Sequence, residues 1–259
     1  MKFYVLDNGK IVMRNDSSVI RSTEAEAAIP VYCLLFETEQ GYVLFDTGCD
    51  PEGMTKNWPE HLRKNPYVCE AEQLLDAQLA LLGLGCDDIS HVVVSHLHLD
   101  HAGNLSRFRN AKIHVSRQEF QKSLHLFADS DFSGFHTETD LRSCLQAELN
   151  WVLVDQQPEL PLTEQLTILN FGSGHSFGML GLLARGSEKN LLVASDTVYS
   201  SANLADPALL PGIVYDEKGY SATVERIRTL EKQYDAEVLF GHDPEQYAGL
   251  KKAPAFYEI

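Results

Sequence analysis

Three imidazoles and a carboxylate crowd into the stretch Ser95-His96-Leu97-His98-Leu99-Asp100-His101-Ala102-Gly103-Asn104, directly after the apolar, β-branched run Val92-Val93-Val94. That run reads as a buried strand, so ligand-type side chains are delivered where a strand stops. In an extended segment residues i, i+2 and i+4 share a face. On that reading His96, His98 and Asp100 converge on one point and His101 leans toward a neighbouring one. Imidazole and carboxylate are ligands of zinc and other borderline divalent metals, which suggests two adjacent metals. A merely polar strand cap would crowd these imidazoles together at a cost that nothing offsets unless a cation holds them neutral.

Two metals need more than four ligands, and the chain repeats the same device three times downstream. Phe171-Gly172-Ser173-Gly174-His175-Ser176-Phe177-Gly178 sets a histidine in a glycine-rich turn after Leu166-Thr167-Ile168-Leu169. Leu191-Leu192-Val193-Ala194-Ser195-Asp196 ends an apolar run with a carboxylate, and Val238-Leu239-Phe240-Gly241-His242-Asp243 ends another with a histidine. One histidine after a strand is ordinary turn chemistry. Four strand ends bearing metal ligands in one chain are a site.

This His-x-His-x-Asp-His run, followed by a lone His, an Asp and a final His, resembles the metallo-β-lactamase superfamily over nearly the whole chain. The resemblance implies an α/β fold, the αβ/βα sandwich of two mixed sheets flanked by helices, with a dinuclear site between the tops of the sheets. Carried over position by position, it implies that His96, His98 and His175 hold one metal. Asp100, His101 and His242 then hold the other, and Asp196 bridges them.

A narrower resemblance rests on Tyr199, three residues after Asp196, and on Pro30–Glu39 before Phe45-Asp46-Thr47-Gly48. Phe240-Gly241-His242-Asp243 and Phe256-Tyr257-Glu258 add to it. Together these are similar to the N-acyl-homoserine lactonase branch, whose relatives include the pyridoxolactonases. The branch implies a quorum-quenching hydrolase that opens the ester ring of a small lactone. The alternative is another hydrolase of the same fold, 4-pyridoxolactonase-like or a glyoxalase II-like thioesterase.

Two bridged divalent metals would activate a water as hydroxide for attack on the carbonyl. Zn, Fe, Mn and Co suit such ligands alike, with zinc expected. Tyr199 would stabilise the oxyanion, and Asp100, by the resemblance, would pass a proton to the leaving alkoxide. Relatives usually have Pro before the Gly-His of the third motif and His or Gln a few residues later. Here Ser173 and Met179 stand in those places.

The ligands span His96 to His242, so dividing the 259 residues would split the site, and a single domain over residues 1–259 is expected. A formal net charge of −16 opposes nucleic acid and anionic membrane as partners. It fits a soluble enzyme acting on neutral or cationic small molecules, and a monomer or homodimer is expected. The N-terminal residues meet charge before any apolar stretch of a secretion signal could form. Five cysteines without CxxC spacing read as reduced thiols, which points to the cytoplasm. Cys49 lies beside the Asp46-Thr47-Gly48 loop but is not needed as a ligand.

Among local elements, residues 3–6 and 10–14 read as strands of a hairpin across Asp7-Asn8-Gly9. Residues 17–29 read as a loop, and 30–38 with 42–46 as a strand pair. Asp46 has two readings of equal weight, a carboxylate that orients a metal ligand or a plain turn residue. Residues 50–70 read as irregular, with Met54, Trp58 and Tyr67 as candidates for an apolar channel or simple packing. A helix is expected over 70–83, a strand over 111–115 and a helix over 117–126. Residues 127–150 look partly helical, 200–220 a long loop and 221–234 a helix with Val224, Ile227 and Leu230 inward. His61, His91, His114 and His125 read as structural, and His136 as solvent-exposed, with a place facing the substrate as the alternative.

Overall fold

The computed structural model describes residues 1–14, 26–205 and 208–259. Thirteen strands are present among them. The first seven are β1 (Lys2–Arg14), β2 (Glu26–Thr38), β3 (Gly41–Phe45), β4 (Tyr67–Val68), β5 (Ile89–Val93), β6 (Lys112–Ser116) and β7 (Asn150–Val154). With β13 (Tyr257–Glu258) they form one sheet in the order β13-β1-β2-β3-β5-β6-β7, and β4 pairs with β1. The second sheet joins β8 (Glu159–Pro161), β9 (Leu166–Gly172), β10 (Met179–Arg185), β11 (Asn190–Ser195) and β12 (Ala236–Phe240) in the order β12-β11-β10-β9-β8. Both sheets are mixed, with β3, β5, β6 and β7 parallel in the first and β11 with β12 parallel in the second.

Side-chain alternation assigns each strand two jobs. Phe3, Val5, Leu34 and Phe36 face inward and meet Ile168, Leu182, Leu191 and Val193 of the other sheet. The residues between them, such as Leu6, Cys33 and Leu35, face outward under helices α1 (Leu75–Ala80) and α4 (Glu138–Gln146). Period-2 patterning with both faces apolar is what a strand needs when helices cover its sheet. On the far side Leu169, Leu183 and Leu192 carry Tyr220, Val224, Ile227 and Leu230 of α6 (Glu217–Tyr234). The remaining helices are α2 (Leu99–Ala102), α3 (Arg117–Asp129), α5 (Ser201–Leu204) and α7 (Pro244–Gly249). The result is helix, sheet, sheet, helix: the expected sandwich. Among the described residues no helix is long and apolar enough to cross a membrane.

The expected hairpin at Asp7-Asn8-Gly9 is not a hairpin. Lys2 to Arg14 is one strand whose two arms, Lys2 to Asp7 and Lys10 to Arg14, both pair with β2, the register shifting between Asp7 and Lys10. Gly9 makes the irregularity: its φ is +81°, and a Cβ there would lie 2.4 Å from the Val68 carbonyl oxygen. The turn-like composition encodes a bulge, because both flanking runs pair with the same partner. Of the expected loop 17–29, residues 26–29 belong to β2 and 17–25 lie outside the described residues. The helix expected over 70–83 divides into a 3₁₀ turn, Ala71–Gln73, and α1. The long loop after Tyr199 contains α5, and α6 starts earlier than residue 221, at Glu217, because the Asp216 side chain accepts from the N–H groups of Lys218 and Gly219.

Candidate metal centre

Five imidazoles and two carboxylates meet at one end of the sandwich, delivered by both sheets. β5 ends at Val93, and the turn after it places His96 and His98; α2 then carries Asp100 and His101. His175 sits in the turn between β9 and β10, Asp196 follows β11 and His242 follows β12. Three groups of inward-facing atoms each lie within 4.8 Å of one another: His96, His98 and His175; His96, His101 and Asp196; Asp100, His101 and His242. The extended-strand argument that put Asp100 with His96 and His98 is therefore corrected. Residue 99 starts a helical turn, which swings Asp100 away to join His101 and His242.

Most rings are aimed by a hydrogen bond on the nitrogen that faces away from the cluster. His101 Nδ1 lies 2.8 Å from Asp46 Oδ2, and His242 Nδ1 lies 2.9 Å from the Pro30 carbonyl oxygen. His96 Nδ1 is 2.9 Å from Ser95 Oγ, which itself donates to Asp46 at 2.9 Å. His175 Nδ1 is 3.2 Å from the Ile213 carbonyl oxygen. A proton held on each outward nitrogen leaves the lone pair of the other pointing inward, the tautomer a metal requires.

Asp46 thus has the orienting role, and its backbone shows what that requires. Asp46 and Ser195 both have left-handed φ, 60° and 49°, at strand ends facing each other across the two sheets. Ser195 Oγ donates to Asp46 Oδ2 at 3.3 Å, and the Ser95 N–H donates to Oδ1 at 2.7 Å. Non-glycine residues in this region carry on the order of 1–3 kcal/mol of strain, which the surrounding bonds must hold. The loop after Asp46 also grips α2: the Thr47 N–H donates to the His101 carbonyl at 2.7 Å, and Asn104 Nδ2 donates to the Thr47 and Cys49 carbonyls.

The centre calls for positive charge. Nε2 of His96, Nε2 of His101 and Oδ1 of Asp196 are buried without a hydrogen-bond partner. Asp196 Oδ1 stands 3.2 Å from His101 Nε2 and 3.1 Å from His242 Nε2, while its Oδ2 stands 3.4 Å from His175 Nε2. Burial disfavours a charged ring at His101, yet Asp196, Asp100 and Asp46 outweigh it and hold its pKa well above the usual value. His242 goes the same way, to about 10, against burial and driven by Asp196 and Asp100. His96 and His98 are driven well below it by burial and by the neighbouring imidazoles. Burial opposes ionisation of Asp196, but His242 and His101 hold its carboxyl well below the usual range. His96 and His98 held neutral, carboxylates strong enough to draw a proton onto His101 and His242, and unpartnered atoms aimed at common points are the donor set of a divalent cation site, where the cation's charge would take the place of those protons.

An apolar cavity of about 50 Å³ opens beside this cluster, walled by Ile11, Met13, Ile29, Trp58 and Leu62, with Tyr199 and Asp100 at its polar end. Of the three channel candidates Trp58 lines it. Tyr67 instead packs against Trp58 and donates to the Asn8 carbonyl, and Met54 packs against the same cluster. Tyr199 is buried, its hydroxyl 3.1 Å from His175 Nδ1. Burial first, then Asp196 and Asp100, raise its pKa well above the ordinary phenol, so it stays protonated and can donate. Cys49 is a buried thiol outside the three groups.

Two expectations about other residues change. His136 is buried, not exposed: its Nε2 bonds Glu119 Oε1 at 2.9 Å and its ring meets His98 edge-on. Glu119 itself carries no spacing signal, since a lone Glu in a helix matches no ligand motif. Ser173 donates to Asp216 Oδ2 at 2.6 Å and so ties the His175 turn to the start of α6.

Residues 28–242 match the sequence profile of the Metallo-beta-lactamase superfamily. The chain is 38% identical to the N-acyl homoserine lactonase AiiB of Agrobacterium fabrum over 273 aligned residues, covering 99% of each chain. It is 37% identical to AiiB of Rhizobium rhizogenes with the same coverage. A structure of a point mutant of AiiA from Bacillus thuringiensis with N-decanoyl-L-homoserine bound at the active site superposes with a TM-score of 0.82. That match is at 26% identity and covers 99% of this chain and 98% of that one. A structure of an N-acyl homoserine lactone hydrolase with the product N-hexanoyl-L-homoserine at its catalytic metal centre gives 0.81, also at 26% identity and with the same coverage.

Proposed function

This chain belongs to the metallo-β-lactamase superfamily, and we propose that it is a metal-dependent hydrolase that opens the ester ring of N-acyl-homoserine lactones. The observation that carries the reading is the set of inward lone pairs and orphaned atoms at the polar end of an apolar cavity. We assign His96, His98 and His175 to one cation, Asp100, His101 and His242 to the other, and Asp196 between them, within a single domain spanning residues 1–259. Zinc is the expected metal, and Fe, Mn or Co would satisfy the same donors. When bound, two such cations supply Lewis acidity to the ester carbonyl and lower the pKa of a water at the site.

The chain's own groups do the rest. With His175 Nε2 turned to a cation, the ring proton sits on Nδ1, where it can be shared between the Ile213 carbonyl and Tyr199. The Tyr199 proton is then free for the substrate carbonyl oxygen, and its donation strengthens as negative charge builds there. Asp100 is the more exposed of the two cluster carboxylates, its side chain 12% accessible against 4% for Asp196. Although burial opposes it, His101 and His242 hold the Asp100 carboxyl below its usual value, and a cation held by the same three residues would favour the carboxylate in their place. Asp100 can therefore take the proton released by the attacking water and return it to the leaving alkoxide. The apolar walls of the cavity suit the acyl chain, and the formal charge of −16 is compatible with a neutral lactone as substrate.

The test is a parallel assay of N-acyl-homoserine lactones and acyl thioesters on one preparation, with product masses recorded. Ring opening that adds one water to the lactone, at rates above thioester cleavage, is expected. Faster thioester cleavage would move the protein to the other hydrolases of this fold.

A further inference from the structure

His98 is aimed differently from the other four imidazoles. Its Nδ1 faces inward, 3.1 Å from His175 Nε2. Among the described residues the outer side of its ring is met by rings and not by a hydrogen-bond acceptor. His136 stands edge-on, with centroids 4.8 Å apart and planes at 85°, and Phe135 lies at 5.5 Å and 47°. His136 cannot turn freely. Its Nε2 is 2.9 Å from Glu119 Oε1, and its other face stacks on Phe177 at 5.2 Å and 19°.

Glu119 is 0% exposed, and its binding partners are selective. Oε1 accepts the N–H of Leu97, the residue between His96 and His98, at 3.0 Å. Oε2 accepts Ser176 Oγ at 2.9 Å and the Gly178 N–H at 3.0 Å, both just past His175. One carboxylate therefore joins the two backbone segments that supply His96, His98 and His175. Burial opposes its ionisation, but the His136 ring and these donors keep it charged. In the other half Asp46 bonds His101 directly; it reaches His96 only through Ser95 Oγ and makes no bond to His98 or His175 among the described residues.

We propose that Glu119 and His136 are positioning residues that set how tightly the cation of the His96–His98–His175 half is held, without governing the Asp100–His101–His242 half. This rests on the ligand assignment above. Groups behind metal ligands typically change affinity by about 10–100-fold when removed.

The experiment uses metal-stripped wild type, His136→Phe and Glu119→Gln. Each is titrated with Zn²⁺ against a competing chelator and with Co²⁺ followed by visible absorption, and thermal unfolding is recorded alongside. His98→Ala, titrated in parallel, marks which binding step belongs to the half under test. The ring of Phe keeps the edge contact's volume but gives up the bond to Glu119. We expect both variants to fold, with that one step weakened about ten- to a hundredfold, its Co²⁺ spectrum altered and the second step unchanged. Wild-type affinities at both steps in the folded variants would overturn the proposal, as would equal weakening of both, which is the mark of a merely structural role. A wild type that binds no Zn²⁺ or Co²⁺ would overturn the ligand assignment itself.

Discussion

At Gly241 the chain passes so close to Asp196 that a Cβ would lie 2.4 Å from its Oδ1 and 2.8 Å from the Ser195 carbonyl carbon. The residue before His242 is thus glycine for reasons of space, and its neighbour is the carboxylate placed between the two groups of imidazoles. Gly241→Ala should displace Asp196 and cut turnover on the order of a hundredfold, the usual cost of a small misplacement. Metal content measured on the same folded protein should fall with it, and wild-type values for both would show that the carboxylate has room to spare. Tyr199 belongs to the same scale. Tyr199→Phe removes the phenol hydroxyl and leaves the ring, so metal content should hold while kcat drops roughly 10²–10³-fold, or about 2.7–4 kcal/mol. An unchanged kcat would remove Tyr199 from the chemistry.

Elements explain why the ligands were readable and some of their supports were not. Each ligand comes after a strand, and a strand's alternation and abrupt end are visible in a row of residues, as in Val92-Val93-Val94 before His96 and Leu191–Ala194 before Asp196. The path of the chain beyond a strand end is harder to read. One helical turn at Leu99 reassigned Asp100, and a bulge at Gly9 passed for a hairpin, because both depend on which segment pairs with which. Glu119 and His136 were invisible as a pair because seventeen residues and a helix end separate them. Helix α4 carries a prediction of its own. Asp140 in its first turn is buried with Oδ2 unpartnered, and burial, opposed by Thr137 and reinforced by Asp50, pushes its pKa from 3.8 to about 7. The native state therefore favours the neutral acid. Its stabilisation is fully present below the unfolded-state value and is lost as pH rises through about 7, a change on the order of a few kcal/mol. Asp140→Asn should melt higher than wild type at pH 8.5, with the gap closing toward pH 4. A gap independent of pH would place the acid's ionisation outside the stability of the fold.

The whole molecule shows why strand ends make the site. Two sheets packed on a shared apolar layer bring β5, β9, β11 and β12 to the same end, so ligands scattered over nearly 150 residues converge without any long-range sequence signal beyond their chemistry. That convergence was legible because the ligand types repeat after similar apolar runs. The walls of the cavity were not, since Ile11, Met13 and Ile29 come from β1 and β2, whose pairing the composition of residues 7–9 disguised. The central claim is that lactone hydrolysis belongs to a centre of two cations held by these strand ends, and metal-stripped protein tests it most directly. Turnover of an N-acyl-homoserine lactone should be negligible after stripping, rise as Zn²⁺ is added and level off at about two equivalents per chain. Full turnover in the stripped protein, or none after loading, would contradict the account.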